Sequence, residues 1–143
     1  HSDGDAVLHA VADALLGALA AGDLGQHFPD TDPRWRGADS AGLLGEVVRL
    51  VDARGARVVN VDVSILAERP RLAAHLPAMR ARLAGLLAIG GERVGLKART
   101  MEGLGAIGAG EAIAAQAVAL VELAAPRRAP LRRRQQERSG SSG

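Results

Sequence analysis

The segment that decides the fold is residues 56–68, ARVVNVDVSILAE, in which apolar and polar side chains alternate strictly from Val59 to Ile65. Neighbouring side chains of an extended chain point to opposite sides, so the pattern predicts a strand with one buried face. Its predicted buried side consists of Val59, Val61, Val63 and Ile65, and its other side consists of Asn60, Asp62 and Ser64. Pro70 ends the strand, because proline lacks the N–H that a ladder hydrogen bond needs.

Three helices are predicted around this strand, at residues 6–22, 40–55 and 77–89, because apolar side chains recur there every three or four positions. Gly22 is the predicted end of the first helix, since glycine readily takes the positive φ of a helix end. Ser40 is the predicted cap of the second, since its hydroxyl can accept a bond from a free backbone N–H.

Later segments of the chain complete the predicted order of elements. Residues 93–99, RVGLKAR, predict a short second strand, and the Gly-rich residues 101–110 predict no regular structure. Residues 111–125, EAIAAQAVALVELAA, are ambiguous, because their Ala content favours a helix while their alternation permits a strand. The buried face of that strand would hold Ile113, Ala115, Ala117, Ala119 and Val121. This order predicts an α/β or α+β sandwich with helices on one face of a sheet.

Composition limits the domain count and the kinds of partner. The 143 residues are enough for one domain, predicted at residues 1–125, and a disordered basic tail is predicted at residues 126–143. The tail holds six Arg and one Glu, so a formal charge of +2 for the whole chain leaves the domain net acidic. With no cysteine and two aromatic side chains, disulfides, thiol chemistry and a base-stacking surface are excluded. We therefore predict no nucleic-acid partner, although binding through the tail stays an alternative, and no membrane partner.

Two polar patterns near the start of the chain could hold ligands. Asp5 and His9 are four positions apart and so share one helix face, while His1 and Asp3 lie at its N-terminal end. Imidazole with carboxylate suits a divalent metal ion. The alternative is that the acids only cap the helix. In the loop at residues 23–39, carboxylates and backbone amides could hold the hydroxyls of a polyol, or could simply form solvated turns.

Two further patterns follow the predicted strands. After the second strand, Lys97, Arg99 and Thr100 could face phosphate, and Glu102 could hold a magnesium-type ion. A strand end with mixed charges is the alternative. After the first strand, residues 68–71, ERPR, are a charge run whose simplest interpretation is solvation.

Taken in order, these motifs resemble one enzyme family. HSDGD (1–5), GDLG (22–25), FPDTDP (28–33), GADS (37–40), NVDVSILAERP (60–70) and KARTMEGLG (97–105) are similar to the 2-C-methyl-D-erythritol 2,4-cyclodiphosphate synthases of the non-mevalonate isoprenoid pathway. The resemblance runs from His1 to about Leu123. It implies a lyase in the bacterial cytoplasm or the plastid stroma, which forms a cyclic diphosphate from a cytidine diphosphate-linked polyol and releases CMP. It also implies an α+β fold with a mixed sheet, a strand at the ambiguous final segment, and a homotrimer with active sites between subunits around a central axis.

Roles for individual residues follow from the resemblance alone. It implies catalytic roles for His1 and Thr100, with zinc at His9 and magnesium or manganese at Glu102. The implied substrate contacts are Ser2, Asp23, Leu24, Gly25, Phe28, Asp30, Asp32, Ala67, Pro70, Arg71, Leu72 and Glu102. Arg99, which departs from the family pattern, could also contact the substrate by pairing with the diphosphate. Residues 67–73 match the cytidine-binding loop, and residues 23–25 and 28–32 match the segments that hold the erythritol.

The sequence also departs from the family. An Asp-x-His pair of zinc ligands is expected on a strand ahead of His1, so we expect the chain as given to be truncated or inactive, with one strand fewer in its sheet. Arg99 and Met101 stand where threonines are usual, and Ala106 and Ala109 replace a usual Phe and Arg that line the central cavity. A catalytically impaired trimeric relative therefore remains the alternative function.

Overall fold

A computed structural model describes residues 2–69 and 71–124, with side chains from residue 4 onward. The helices are α1 (Ser2–Ala18), α2 (Leu24–His27), α3 (Ser40–Ala53), α4 (Leu76–Leu87) and α5 (Gly105–Gly108). The strands are β1 (Ala56–Leu66), β2 (Val94–Arg99) and β3 (Ala114–Leu123). The tail predicted at residues 126–143 lies outside the described residues, as do His1 and Pro70.

The three strands form one mixed sheet in the order β2-β1-β3. β1 and β2 are parallel, with Leu66 opposite Arg99, and α4 lies in the connection between them. β1 and β3 are antiparallel, with Leu66 opposite Ala114. The final segment is therefore a strand, as the resemblance implied, because pairing with the long central strand outweighs the helical propensity of its alanines.

A bulge in β1 changes one detail of the predicted alternation. The pairing of β1 with β3 shifts between Val58 and Asn60. As a result Val58 is buried and Val59 only half-buried, so the prediction that Val59 lies in the core is wrong. An extra residue in one strand reverses the side to which the next side chains point. Beyond the bulge, Val63 and Ile65 are fully buried as predicted.

The core lies between one face of the sheet and the helices. α1 packs on β3 and α3, and α4 packs on β2, so the helices form one layer and the sheet the other. Side chains without any exposed surface include Val11, Leu15, Leu16, Leu44, Val47, Val51, Val63 and Ile65. Each such burial stabilises the fold by about 1.5–3 kcal/mol relative to exposure. The α+β sandwich predicted from the order of elements is confirmed.

Helix ends differ from the prediction in several places: α1 begins at Ser2, four residues before residue 6, and α4 ends at Leu87, two residues before Ile89. α1 ends at Ala18, four residues before Gly22, because Ala20 already takes a positive φ of 52°. The cap of α3 is Asp39 and not Ser40, since the Asp39 carboxylate accepts a hydrogen bond from the Gly42 N–H. The segment predicted to be irregular, residues 101–110, contains the single turn α5.

α1 and α3 run in the same direction along the sheet. Ser40 Oγ at the start of α3 lies 3.0 Å from His9 Nε2 in α1, and Arg54 after α3 donates to the Leu19 carbonyl after α1. Gly55 then turns the chain into β1, so both helices end beside the beginning of β1. The first residues of α1 therefore point toward the other end of the sheet, where β1 and β2 end.

Among the described helices, none combines the length and the apolar character required to traverse a bilayer.

Candidate functional site

A cleft of about 1190 Å³ opens where β1 and β2 end. One wall is the segment after β1, and the other is the end of β2 with the turn that contains α5. The residues that line it are Glu68, Arg69, Arg71, Leu72, Ala73, Ala98, Arg99, Thr100, Gly108, Ala109 and Gly110. The cleft therefore joins the predicted cytidine loop to the predicted phosphate-facing residues, which are far apart in the sequence.

Two hydrogen bonds hold the walls of the cleft together. The Ala67 N–H donates to the Arg99 carbonyl over 3.0 Å, which extends the pairing of β1 and β2. The Met101 N–H donates to Glu68 Oε2 over 3.1 Å. From the sequence alone, Glu68 was assigned only to a solvated charge run. Its position just after a strand with a buried face was the signal that could have identified it as part of the cleft.

Thr100 lies between these two bonds and has its own partner. Its Oγ1 accepts a hydrogen bond from the Glu102 N–H at 3.3 Å. A hydroxyl that accepts one bond still has its proton to donate. Thr100 can therefore donate a hydrogen bond to an anionic oxygen in the cleft, as its predicted role requires.

The turn after Thr100 depends on glycine. Glu102 has a φ of 52° and Gly103 a φ of 79°, so the chain turns through the left-handed region. A side chain at Gly108 would collide with the backbone of Gly103, with only 2.7 Å to its carbonyl oxygen. The two glycines must touch for α5 to close the cleft. Glu102 itself is exposed beside the cleft.

The cleft is rich in arginine. Arg69, Arg71 and Arg99 line it, and within the described part of the chain none of the three forms an ion pair. Unpaired guanidinium groups are well suited to phosphate, because their N–H groups match its oxygens. Lys97 is a correction: its Nζ lies 2.6 Å from the Asp62 carboxylate, and Lys97 does not line the cleft.

The predicted cytidine loop offers a ligand mainly its backbone groups. Ala67 and Leu72 are both 6% exposed, so their side chains belong to the core. Any contact that they make with a ligand must come from N–H or C=O groups. Arg71 is exposed, and Pro70 lies outside the described residues.

The predicted polyol segment is a separate region that does not line this cleft. Asp23 caps α2 by accepting from the Gln26 N–H at 2.9 Å, and Asp13 accepts from the Leu24 N–H at 2.9 Å. The Leu24 amide, implied as a substrate contact together with its neighbour Gly25, is thus already bonded within the chain. Asp13 was missed because it is 11 residues away and lies outside every motif.

Phe28 and Asp32 are held by the loop that follows. The Phe28 and Trp35 rings meet edge to face with centroids 4.8 Å apart. The guanidinium and the backbone N–H of Arg34 each donate a hydrogen bond of 2.9 Å to the Asp32 carboxylate. These hydrogen bonds lower the pKa of the Asp32 carboxyl. Asp32 is therefore occupied in shaping the loop, whereas Asp30 is exposed and has no partner among the described residues.

The predicted metal ligands do not form a complete zinc site in the described residues. His9 is exposed, and its Nε2 contacts Ser40 Oγ. Residues 4–69 and 71–124 contain no group of three His, Asp or Glu side chains that could hold a metal ion. Zinc requires three or four fixed ligands, so these residues alone do not fit it. His1 and the side chain of Ser2 lie outside the described residues.

A family model described as the YgbB family matches residues 1–122. This chain belongs to the YgbB family. Its curated YgbB-family relatives include the 2-C-methyl-D-erythritol 2,4-cyclodiphosphate synthase of Dechloromonas aromatica (strain RCB), which is 57% identical over 122 residues, 85% of this chain and 76% of the relative. The resemblance drawn from the motifs is therefore confirmed.

Solved structures of the YgbB family share the fold. A 2C-methyl-D-erythritol-2,4-cyclodiphosphate synthase in its CDP-bound form has a TM-score of 0.75 and 43% identity, covering 80% of this chain and 74% of that one. IspF of Plasmodium falciparum in complex with CDP has a TM-score of 0.73 and 30% identity, covering 85% of this chain and 72% of that one. Both of those proteins bind CDP.

Proposed function

We propose that this YgbB-family chain converts 4-diphosphocytidyl-2-C-methyl-D-erythritol 2-phosphate into 2-C-methyl-D-erythritol 2,4-cyclodiphosphate and CMP. The cleft carries the proposal, because it places residues 67–73 beside Thr100 and three arginines that form no ion pair with the described residues. The CDP complexes of two relatives support a cytidine diphosphate-linked ligand. The bacterial relative supports a cytoplasmic setting as part of the same proposal.

The proposed reaction is an intramolecular phosphoryl transfer. An oxygen of the substrate's 2-phosphate attacks the β-phosphorus, a P–O bond forms, and the bond from that phosphorus to the bridging oxygen breaks. CMP leaves with this oxygen and its electron pair. Nucleophile and electrophile belong to one molecule, so catalysis consists mainly of positioning and charge neutralisation. The step uses no covalent enzyme intermediate.

The chain's own residues would provide those two contributions. The Thr100 hydroxyl would donate to a phosphate oxygen, and Arg71 and Arg99 would neutralise charge on the diphosphate. Backbone groups of residues 67–73 would read the cytosine. The free carboxylate of Asp30 would accept hydrogen bonds from the polyol, with Asp23 contributing its second oxygen.

We further propose that three chains assemble, so that the polyol segment of one subunit faces the cleft of its neighbour. The polyol segment does not line the cleft of its own chain. The sheet face opposite the helices exposes Val118 and Leu120, with 74% and 56% of their surface accessible. Burial of such an apolar face between subunits would stabilise the assembly.

The proposal includes magnesium or manganese but assigns no step to zinc. Magnesium or manganese fits Glu102, because such ions bind to one or two carboxylates and complete their shells with substrate phosphates and water. Bound there, the ion would neutralise charge on the diphosphate. No step is assigned to zinc, since the described residues do not supply its ligands.

A CMP-release assay with magnesium tests the proposal. Thr100→Val removes the hydroxyl and should lower kcat on the order of tenfold to a hundredfold, while Thr100→Ser should stay near wild type. No CMP release by the wild-type chain, with CDP binding retained, would favour the impaired trimeric relative. A wild-type chain that shows no CMP release and no CDP binding would refute both functions.

A further inference from the structure

The side chain of Glu68 connects two segments that the proposed function assigns to different parts of the substrate. Glu68 directly follows Ala67 in the cytidine loop, and its Oε2 accepts the Met101 N–H at 3.1 Å. Met101 lies 33 residues away, in the turn after β2. Together with the bond from the Ala67 N–H to the Arg99 carbonyl, this contact brackets Thr100 from both sides.

The bracketed turn needs such an anchor. Glu102 takes a φ of 52°, a left-handed conformation that is unfavourable in a residue other than glycine. The Glu102 N–H donates to Thr100 Oγ1, so the position of the Thr100 hydroxyl depends on the shape of this turn. Without Glu68, the Met101 amide would lose its partner and the turn would lose the contact that fixes it to the opposite wall.

The negative charge of Glu68 disfavours binding of an anionic ligand, whereas its hydrogen bond to Met101 favours the cleft geometry for that ligand. Glu68 lines the cleft with Arg69, Arg71 and Arg99, and it brings the one carboxylate among the described lining residues. A carboxylate in the cleft repels a diphosphate, whereas an uncharged acceptor would not. Hydrogen bonding and charge can therefore be separated by the variants Glu68→Gln and Glu68→Ala.

We propose that Glu68 is a positioning residue, which holds Met101 and so aligns Thr100 with the phosphates of a nucleotide bound by the cytidine loop. This inference deepens the proposed function and rests on it. Glu68 acts through the hydrogen bond to the Met101 N–H and not through contact with the reacting atoms. Its acceptor oxygen matters for the alignment, and its charge does not.

The test compares Glu68→Ala, Glu68→Gln and the control Glu92→Ala in the full chain. Glu92 is an exposed carboxylate in the turn before β2, at the other end of that strand from Arg99. We expect Glu68→Ala to speed amide exchange in residues 99–104 and to lower kcat for CMP release, each on the order of tenfold, with KM within about threefold. Glu68→Gln should restore exchange and kcat and should bind CDP at least as tightly as wild type.

The outcomes separate this inference from the function on which it rests. A wild-type chain that neither binds CDP nor releases CMP overturns both. An active wild type with Glu68→Ala indistinguishable from Glu92→Ala in exchange and kcat overturns the role of Glu68 alone. So does a Glu68→Gln variant as impaired as Glu68→Ala, since its amide oxygen can still accept the hydrogen bond.

Discussion

Replacement of Arg99 by threonine, the residue that the resemblance predicts there, should weaken CDP binding without altering the fold. The Arg99 carbonyl, which accepts the Ala67 N–H, is retained in the variant. The guanidinium lines the cleft, is exposed, and forms no ion pair with the described residues. An exposed charge about 4 Å from a phosphate contributes about 1 kcal/mol in water, and about 4 kcal/mol where solvent is partly excluded.

Because Arg99 is exposed, the lower figure applies, and we expect CDP affinity to fall about fivefold at low salt. Titration calorimetry with CDP and with cytidine measures this directly. Cytidine affinity should not change, because cytidine has no phosphate. The fivefold difference should shrink at 0.3 M salt, where screening shortens the range of surface charges.

A matched control is Arg82→Ala, which removes one exposed charge from α4 without touching the cleft lining. It should leave both affinities unchanged. Equal weakening of CDP and cytidine by Arg99→Thr would show that the variant disturbs the loop and not the charge. CDP weakening of equal size in Arg82→Ala would show that net charge alone explains the effect. Either result refutes the reasoning.

Three more outcomes are expected. Gly108→Ala should destabilise the cleft turn and abolish CDP binding, measured by calorimetry, because a Cβ there meets backbone; unchanged affinity would contradict this. Leu120→Glu should yield monomers by light scattering, since it charges the exposed sheet face; a surviving trimer would rule out that interface. Hydrogen bonds from Arg34 lower the pKa of Asp32 below its ordinary value of 3.8. The pair therefore stabilises the loop fully at pH values above 3.8, and this stabilisation is lost as the pH falls through the lowered pKa. Arg34→Ala should therefore move the acid transition in Trp35 fluorescence to higher pH, and an unmoved transition would refute the role of the pair.

Most of the fold could be predicted because helices and strands leave a regular spacing of apolar side chains in the sequence. The alternation in residues 56–66 requires only a strand with one covered face, and the repeat in residues 6–18 only a helix with one buried side. The error in β1 lies where a distant partner intervenes. Val59 leaves the core because the pairing with β3 contains a bulge, and the two adjacent valines at 58 and 59 do not by themselves show which of them faces the core.

In the candidate site, too, local sequence patterns could be predicted and contacts between distant residues could not. Its motifs were visible because turns that bind ligands use Gly, Pro, Asp and Thr at short spacing. Lys97 was misassigned because its partner Asp62 lies on the neighbouring strand, where the parallel pairing alone brings the two together.

The sequence by itself determined the family and the α+β class, because these depend on residue types at short, regular spacing. The tertiary structure decided which motifs share a cleft. It also showed that Glu68 accepts a hydrogen bond from the Met101 N–H and that Asp13 accepts one from the Leu24 N–H. Those contacts join residues 33 and 11 positions apart, and only the packing of strands and helices brings such residues within hydrogen-bond distance.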